Sequence, residues 1–146
     1  MSKVTDGLNV LLSDALVLYQ KLHHYHWNIG GDEFFSLHVK FEELYDQWAL
    51  FLDDVAERIL TVGGAPVRTL AQALETTSLQ EDPGLPDDDE DFVKNILADF
   101  EAVLENIKGL VAAAEEEGDR GTAALLDDIT GQVEKDGWML KAYLKD

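Results

Sequence analysis

The chain has 146 residues, with 11 Lys and Arg against 30 Asp and Glu, so its formal net charge is −19. A surface with this charge repels nucleic acid and anionic lipid and attracts cations. The absence of cysteine excludes disulfides and thiolate metal sites and fits a cytoplasmic location. We expect a single domain, residues 1–146, without a signal peptide or a membrane-spanning segment.

Apolar residues recur at helical spacing along most of the chain, which predicts an all-α protein. A first helix is expected from about Val4 to Trp27, ended by Gly30 and Gly31 in a left-handed C-cap. A second helix is expected from about Glu33 to Val62. The connection that follows contains a short helix around Thr69–Glu75.

The second half of the chain predicts two further long helices. The acidic segment EDPGLPDDDED precedes the third helix and caps it, and Gly118 ends that helix. The fourth helix covers about Thr122–Leu144. Four long helices, with a longer connection between the second and third, are the arrangement of a ferritin-like four-helix bundle with a short extra helix in that connection.

The first helix carries apolar residues around nearly its whole circumference. These residues are Leu8, Val10, Leu11, Leu12, Ala15, Leu16, Val17, Leu18 and Tyr19. A helix that is apolar on all sides is buried on several sides. The pattern therefore predicts a partner subunit beside this helix.

The second helix carries a polar stripe formed by His38, Glu42, Asp53 and Glu57, about 125° away from its apolar stripe. His38 and Asp53 are about 22 Å apart along one straight helix, so they cannot bind the same ion within one chain. Two copies of the helix lying antiparallel across a two-fold axis would bring His38 and Glu42 of one copy opposite Asp53 and Glu57 of the other.

The stretch KLHHYHWNIGG places His26 just before the turn that joins the first two helices, so that His26 can approach His38. The combined set of two imidazoles and two or three carboxylates suits iron. Taken singly, these residues have commoner explanations: His26 as a buried core histidine, and Asp53 with Glu57 as solvated surface. An in-chain di-iron site is disfavoured because the Glu-x-x-His repeats of such sites are missing.

The motifs KLHHYHW, FFSLHVKFEELYD and DDVAERIL with its following Gly-Gly resemble the Dps family of ferritin-like mini-ferritins, over about Leu8 to Leu144. The resemblance implies a ferroxidase site made by His26 and His38 of one subunit and Asp53 and Glu57 of its two-fold mate. Glu42 matches an auxiliary acidic ligand. The resemblance also implies a hollow dodecamer that oxidises Fe(II) with hydrogen peroxide, the preferred oxidant, or with dioxygen, stores Fe(III), and protects against oxidative stress.

The resemblance also implies roles for residues around this site. Trp27 matches a tryptophan beside the site, and His23 matches a common family position without a clear role. Trp27 and Tyr25 are candidates to intercept a stray oxidising equivalent, although packing is the commoner role for Tyr25. An acidic pore is expected where the third helix ends, near Glu115, Glu116, Glu117, Asp119, Arg120, Ala124, Asp127 and Asp128.

DNA binding is the family activity that this sequence disfavours. Relatives that coat DNA generally use a tail rich in Lys and Arg, whereas only Lys3 precedes the first helix here and Lys141 and Lys145 lie near the end. Twelve copies at −19 each would approach −228. The remaining alternative is an acidic structural or interaction bundle with a vestigial metal site.

Overall fold

The computed structural model describes residues 2–145, which form five α-helices and no strand. The helices are α1 Lys3–Asn28, α2 Phe34–Thr61, α3 Leu70–Thr76, α4 Asp89–Glu116 and α5 Arg120–Tyr143. The all-α prediction and the short helix in the connection are confirmed. Helix α1 packs against α2, α4 packs against α5, and α1 also contacts α4, which completes the bundle.

The helices begin and end at local signals in the sequence. Side-chain oxygens of Ser2, Asp88 and Asp119 accept backbone N–H groups at the starts of α1, α4 and α5. Gly31 adopts a φ of 85°, a left-handed conformation that glycine takes without steric cost, in the turn before α2. This turn reverses the chain and lays the end of α1 along the start of α2.

Helix α1 is buried on several sides, as its apolar circumference predicts, but its own chain supplies the cover. Asp14 of α1 is fully buried and accepts hydrogen bonds from the Thr77 hydroxyl at 2.6 Å, the Ser78 backbone N–H at 2.7 Å and the Ser78 hydroxyl at 2.8 Å. These bonds hold the connection between α2 and α4 against α1. Helix α3, which lies in that connection, packs against α1 as well. The burial of α1 therefore does not require a partner subunit, and a partner beside this helix stays a prediction.

The core is one contiguous set of apolar side chains from all four long helices. Its largest fully buried members are Trp48, Tyr25, Phe41 and Phe100. No helix within residues 2–145 is long and apolar enough to cross a membrane. The outer face of α2 lies away from the core, and its charged and apolar side chains are exposed to solvent.

Candidate metal centre

His26 and His38 form a reciprocal pair at the junction of α1 and α2. The Nδ1–H of His26 donates to the His38 backbone carbonyl at 2.6 Å, and the Nδ1–H of His38 donates to the His26 carbonyl at 2.8 Å. A carbonyl oxygen can only accept, so each neutral ring carries its proton on Nδ1. Both Nε2 atoms are therefore left with a lone pair that can bind a metal.

The two imidazole rings also stack on each other, with centroids 3.7 Å apart and planes inclined by 15°. The Nε2 atom of the buried His26 lies 3.8 Å from Oε1 of Glu42, whose side chain is exposed. The structure thus places three of the five predicted ligands, His26, His38 and Glu42, at one end of the α1–α2 pair, although their ligand atoms do not all lie within 4.8 Å of one another. A carboxylate beside two imidazole nitrogens is a donor set suited to a first-row transition metal.

The remaining two predicted ligands lie toward the other end of α2. Among residues 2–145, one group of three or more histidine or acidic side chains brings its ligand atoms within 4.8 Å of one another: Asp53, Asp54 and Glu57, all exposed. Asp54 was not among the predicted ligands. This cluster contains no histidine, so within one chain the imidazoles and these carboxylates form two separate half-sites.

Comparison with known proteins identifies the family. The family model for ferritin-like domains matches residues 5–146. The chain is 41% identical to general stress protein 20U of Bacillus subtilis over 97% of each chain. It is 42% identical to DNA protection during starvation protein 2 of Bacillus anthracis, again over 97% of each chain. The chain belongs to the Dps family of ferritin-like proteins.

Solved structures agree with this assignment. Dps from Staphylococcus aureus matches with a TM-score of 0.94 and 37% identity, over 98% of this chain and 95% of that one. Dps from Vibrio cholerae, described as a member of a superfamily of ferritin-like diiron-carboxylate proteins, matches with a TM-score of 0.94 and 38% identity, over 98% and 89%. The chain is thus a mini-ferritin, of the class associated with iron storage and stress protection.

Two aromatic residues that were not among the predicted site residues contact the imidazole pair of the candidate site. Phe34 stacks on His38 with centroids 4.8 Å apart, and Tyr45 meets His26 edge-on at 5.2 Å. On its other side Tyr45 stacks on His23 at 3.6 Å. The spacing along α2 indicates that these three side chains share one face, because Phe34 is one turn before His38 and Tyr45 is two turns after it.

Trp27 and Tyr25 flank His26 in the Dps motif but have different surroundings. Trp27 is 62% exposed and contacts His23 at 5.4 Å between ring centroids. Tyr25 is fully buried, and its hydroxyl donates to Asp82 at 2.5 Å. Burial, followed by the hydrogen bond to Asp82, raises the pKa of Tyr25 well above its usual range. Tyr25 is therefore a packing residue of the core.

At the corner between α4 and α5, one of the predicted pore residues has a structural role. Asp119 caps α5 and accepts a hydrogen bond from Arg58 Nη2 at 2.8 Å, and Arg58 Nε also donates to the Thr122 hydroxyl at 3.0 Å. Glu115, Glu116, Glu117, Arg120, Ala124, Asp127 and Asp128 are all exposed at this corner. The pore itself stays a prediction.

Asp119 gives this corner a pH-dependent contribution to stability. Partial burial disfavours its charge, but hydrogen bonds from Thr122 and Arg58 outweigh that effect and hold the pKa of Asp119 below its ordinary value of 3.8. The contribution is therefore fully present above pH 3.8 and is lost as the pH falls through the lower, folded-state pKa.

We expect Asp119→Asn, which keeps a good helix cap, to lower the free energy of unfolding by about 1 kcal/mol at pH 7. The difference from the native chain should vanish in acid below the folded-state pKa. Urea unfolding at a series of pH values measures this, and a constant difference across the series would contradict the role of the charge.

Proposed function

We propose that this protein is a ferroxidase mini-ferritin. It binds Fe(II) at sites shared between two subunits, oxidises it, preferably with hydrogen peroxide, and retains Fe(III) inside a hollow dodecamer. The observation that carries the proposal is the reciprocal His26–His38 pair, which leaves both Nε2 atoms unprotonated and places that of His26 3.8 Å from Oε1 of Glu42. Asp53 and Glu57 of the partner subunit complete each site.

The symmetry of α2 supports a site shared between subunits. His38 and Glu57 are equally far from the middle of the helix, which lies between Gln47 and Trp48, and so are Glu42 and Asp53. Two copies of α2 crossing antiparallel at that middle would therefore bring each imidazole end beside an acidic end. One such crossing forms two identical sites.

Exposed apolar side chains on α2 follow the same symmetry. Phe35 is 82% exposed and Leu60 is 61% exposed, and these two residues are also equally far from the middle of α2. Val39 and Leu50 lie exposed on the same face. Apolar side chains that follow one face of a helix mark an interaction surface, and here the antiparallel crossing would bury Phe35 against Leu60.

The donor set accounts for the chemistry. Neutral imidazoles bind Fe(II), while carboxylates stabilise the harder Fe(III) ion, so the site favours loss of an electron. Two Fe(II) ions each give one electron to one hydrogen peroxide molecule, whose O–O bond breaks and which takes up two protons to become two water molecules. Pairing the two electrons avoids release of hydroxyl radical.

Anaerobic loading with Fe(II) followed by hydrogen peroxide tests the proposal. We expect rapid growth of ferric absorbance, with two Fe(II) consumed per peroxide, and iron retained by the assembly in native mass measurements. An acidic structural bundle with a vestigial site would instead leave Fe(II) to react at its rate in buffer, which would contradict the proposal.

DNA compaction is the second candidate function, because relatives are named for DNA protection during starvation. The net charge of −19 opposes it, since duplex DNA is bound through its phosphates. We expect no retention of DNA in a gel-shift assay at low salt, where phosphate contacts are strongest. Retention that disappears at higher salt would contradict this expectation.

A further inference from the structure

Each member of the imidazole pair contacts a further aromatic ring. One face of His38 stacks on His26 and Phe34 also stacks on His38, with planes inclined by 15° and 22°. The ring of Tyr45 stands at 88° to His26. Phe34, His38, His26 and Tyr45 therefore form a continuous column, here called the ring column, in which each imidazole contacts two other rings.

The hydrogen bonds alone do not fix the direction of the metal-binding atoms. Each bond holds one ring atom, Nδ1, and the ring can still tilt about the line from Cβ to Nδ1, which moves its Nε2 atom. The neighbouring rings limit this tilting, because tilting would push the face of the imidazole into the ring that contacts it. The ring column thus limits the tilting of the imidazole rings, which the Nδ1 hydrogen bonds do not prevent.

The two outer rings of the column, Phe34 and Tyr45, are held in place by contacts of their own. Phe34 is the first residue of α2, and its backbone N–H donates to the Gly31 carbonyl at 3.1 Å. The side chain of Phe34 also packs against the core. Tyr45 lies two turns after His38 and is held from its other side by the stacked ring of His23, with planes inclined by 18°.

We propose that Phe34 and Tyr45 are positioning residues of the iron site. They hold the Nε2 atoms of His26 and His38 in the binding direction before the ion arrives, so that less ordering accompanies metal binding. The inference rests on the proposed function, because it takes these two histidines to be ligands. Neither Phe34 nor Tyr45 touches the ion.

A role in folding alone is the rival explanation, because Phe34 also contacts the core. Variants that keep or remove the ring separate the two roles. Phe34→Tyr and Tyr45→Phe keep a ring in the column, whereas Phe34→Leu and Tyr45→Leu replace it with an apolar side chain that cannot stack.

The test is titration of the full-length, assembled protein with Co(II) in the absence of oxidant, followed by the visible absorption of the bound ion. We expect Phe34→Leu and Tyr45→Leu to bind Co(II) about tenfold more weakly than the native chain, and the two ring-keeping variants to bind within about twofold of it. Native mass and metal-free thermal unfolding check that each variant assembles and folds.

A leucine variant that assembles normally and binds Co(II) with native affinity overturns the proposal, as does a ring-keeping variant that loses as much affinity as its leucine counterpart. If Phe34→Leu does not assemble, the Tyr45 pair decides the question. Failure of the native chain itself to bind Co(II) would instead contradict the proposed function, so the two failures are distinguishable.

Discussion

The His38→Ala chain should oxidise Fe(II) with hydrogen peroxide at least about 100-fold more slowly than the native chain. The substitution removes one Nε2 ligand and also the ring that stacks on His26 at 3.7 Å. The remaining ligands still attract Fe(II), but they bind it more weakly at each site than the complete set of imidazoles and carboxylates. Stopped-flow absorbance after anaerobic loading with Fe(II) measures the rate.

His24→Ala is the matched control for this prediction. His24 lies in the same run of histidines, but its ring nitrogen Nε2 is 2.6 Å from the Gly84 carbonyl, to which it donates. Its loss should leave the oxidation rate unchanged, because this ring binds the connection between α2 and α4 and is not part of the imidazole pair. An equal loss in both variants, or a native rate in His38→Ala, would show that the pair is not the site of oxidation.

Asp53→Asn should lower the same rate by about 10- to 100-fold, although Asp53 is far from the histidines of its own chain. The amide keeps the size of the side chain but removes the negative charge that stabilises Fe(III) relative to Fe(II). Asp53 is exposed, so the fold should tolerate the change, and urea unfolding of the metal-free protein checks this.

Asp46→Asn is the control for Asp53, because Asp46 is also an exposed aspartate on α2 and belongs to no ligand cluster among residues 2–145. It removes the same charge from the assembly. If both variants lost activity equally, the effect would be general attraction of cations rather than ligation, and the assignment of Asp53 would be wrong.

Much of the fold is accessible from the sequence because helical periodicity and helix caps are local. The glycine turn before α2, the aspartate cap at the start of α4 and the helix in the connection all follow from a few neighbouring residues. The cover of α1 did not follow in this way. It depends on Asp14 binding Thr77 and Ser78, more than sixty residues later, and a helical wheel does not show which segment covers an apolar face.

The candidate site, like the fold, could be predicted from the sequence only in part. Helical geometry placed His38, Glu42, Asp53 and Glu57 on one stripe, and the structure brings His26 to His38 as the turn predicts. The ring column was not predicted, because the sequence identifies Phe34 only as an apolar residue at core spacing and does not show its contact with His38. Tyr25 was considered because it adjoins His26 in sequence, yet neighbouring helix residues point about 100° apart and Tyr25 faces the core.

Each iron site is proposed to take its imidazoles from one subunit and its distal carboxylates from another, and mixing two impaired chains shows whether the subunits share sites in this way. When His38→Ala and Asp53→Ala chains are dissociated, mixed in equal amounts and reassembled, half of the two-fold pairs should contain one chain of each kind. Each such pair would have one site with both changes and one site with neither.

We therefore expect the mixture to regain about a quarter of the native oxidation rate, whereas each variant alone should be at least about tenfold slower than the native chain. Separately reassembled variants, combined only afterwards, provide the baseline. If each chain held its own complete site, no mixed pair could contain an intact one. A mixture that stays as slow as its components, with native mass confirming that mixed assemblies have formed, would contradict the account.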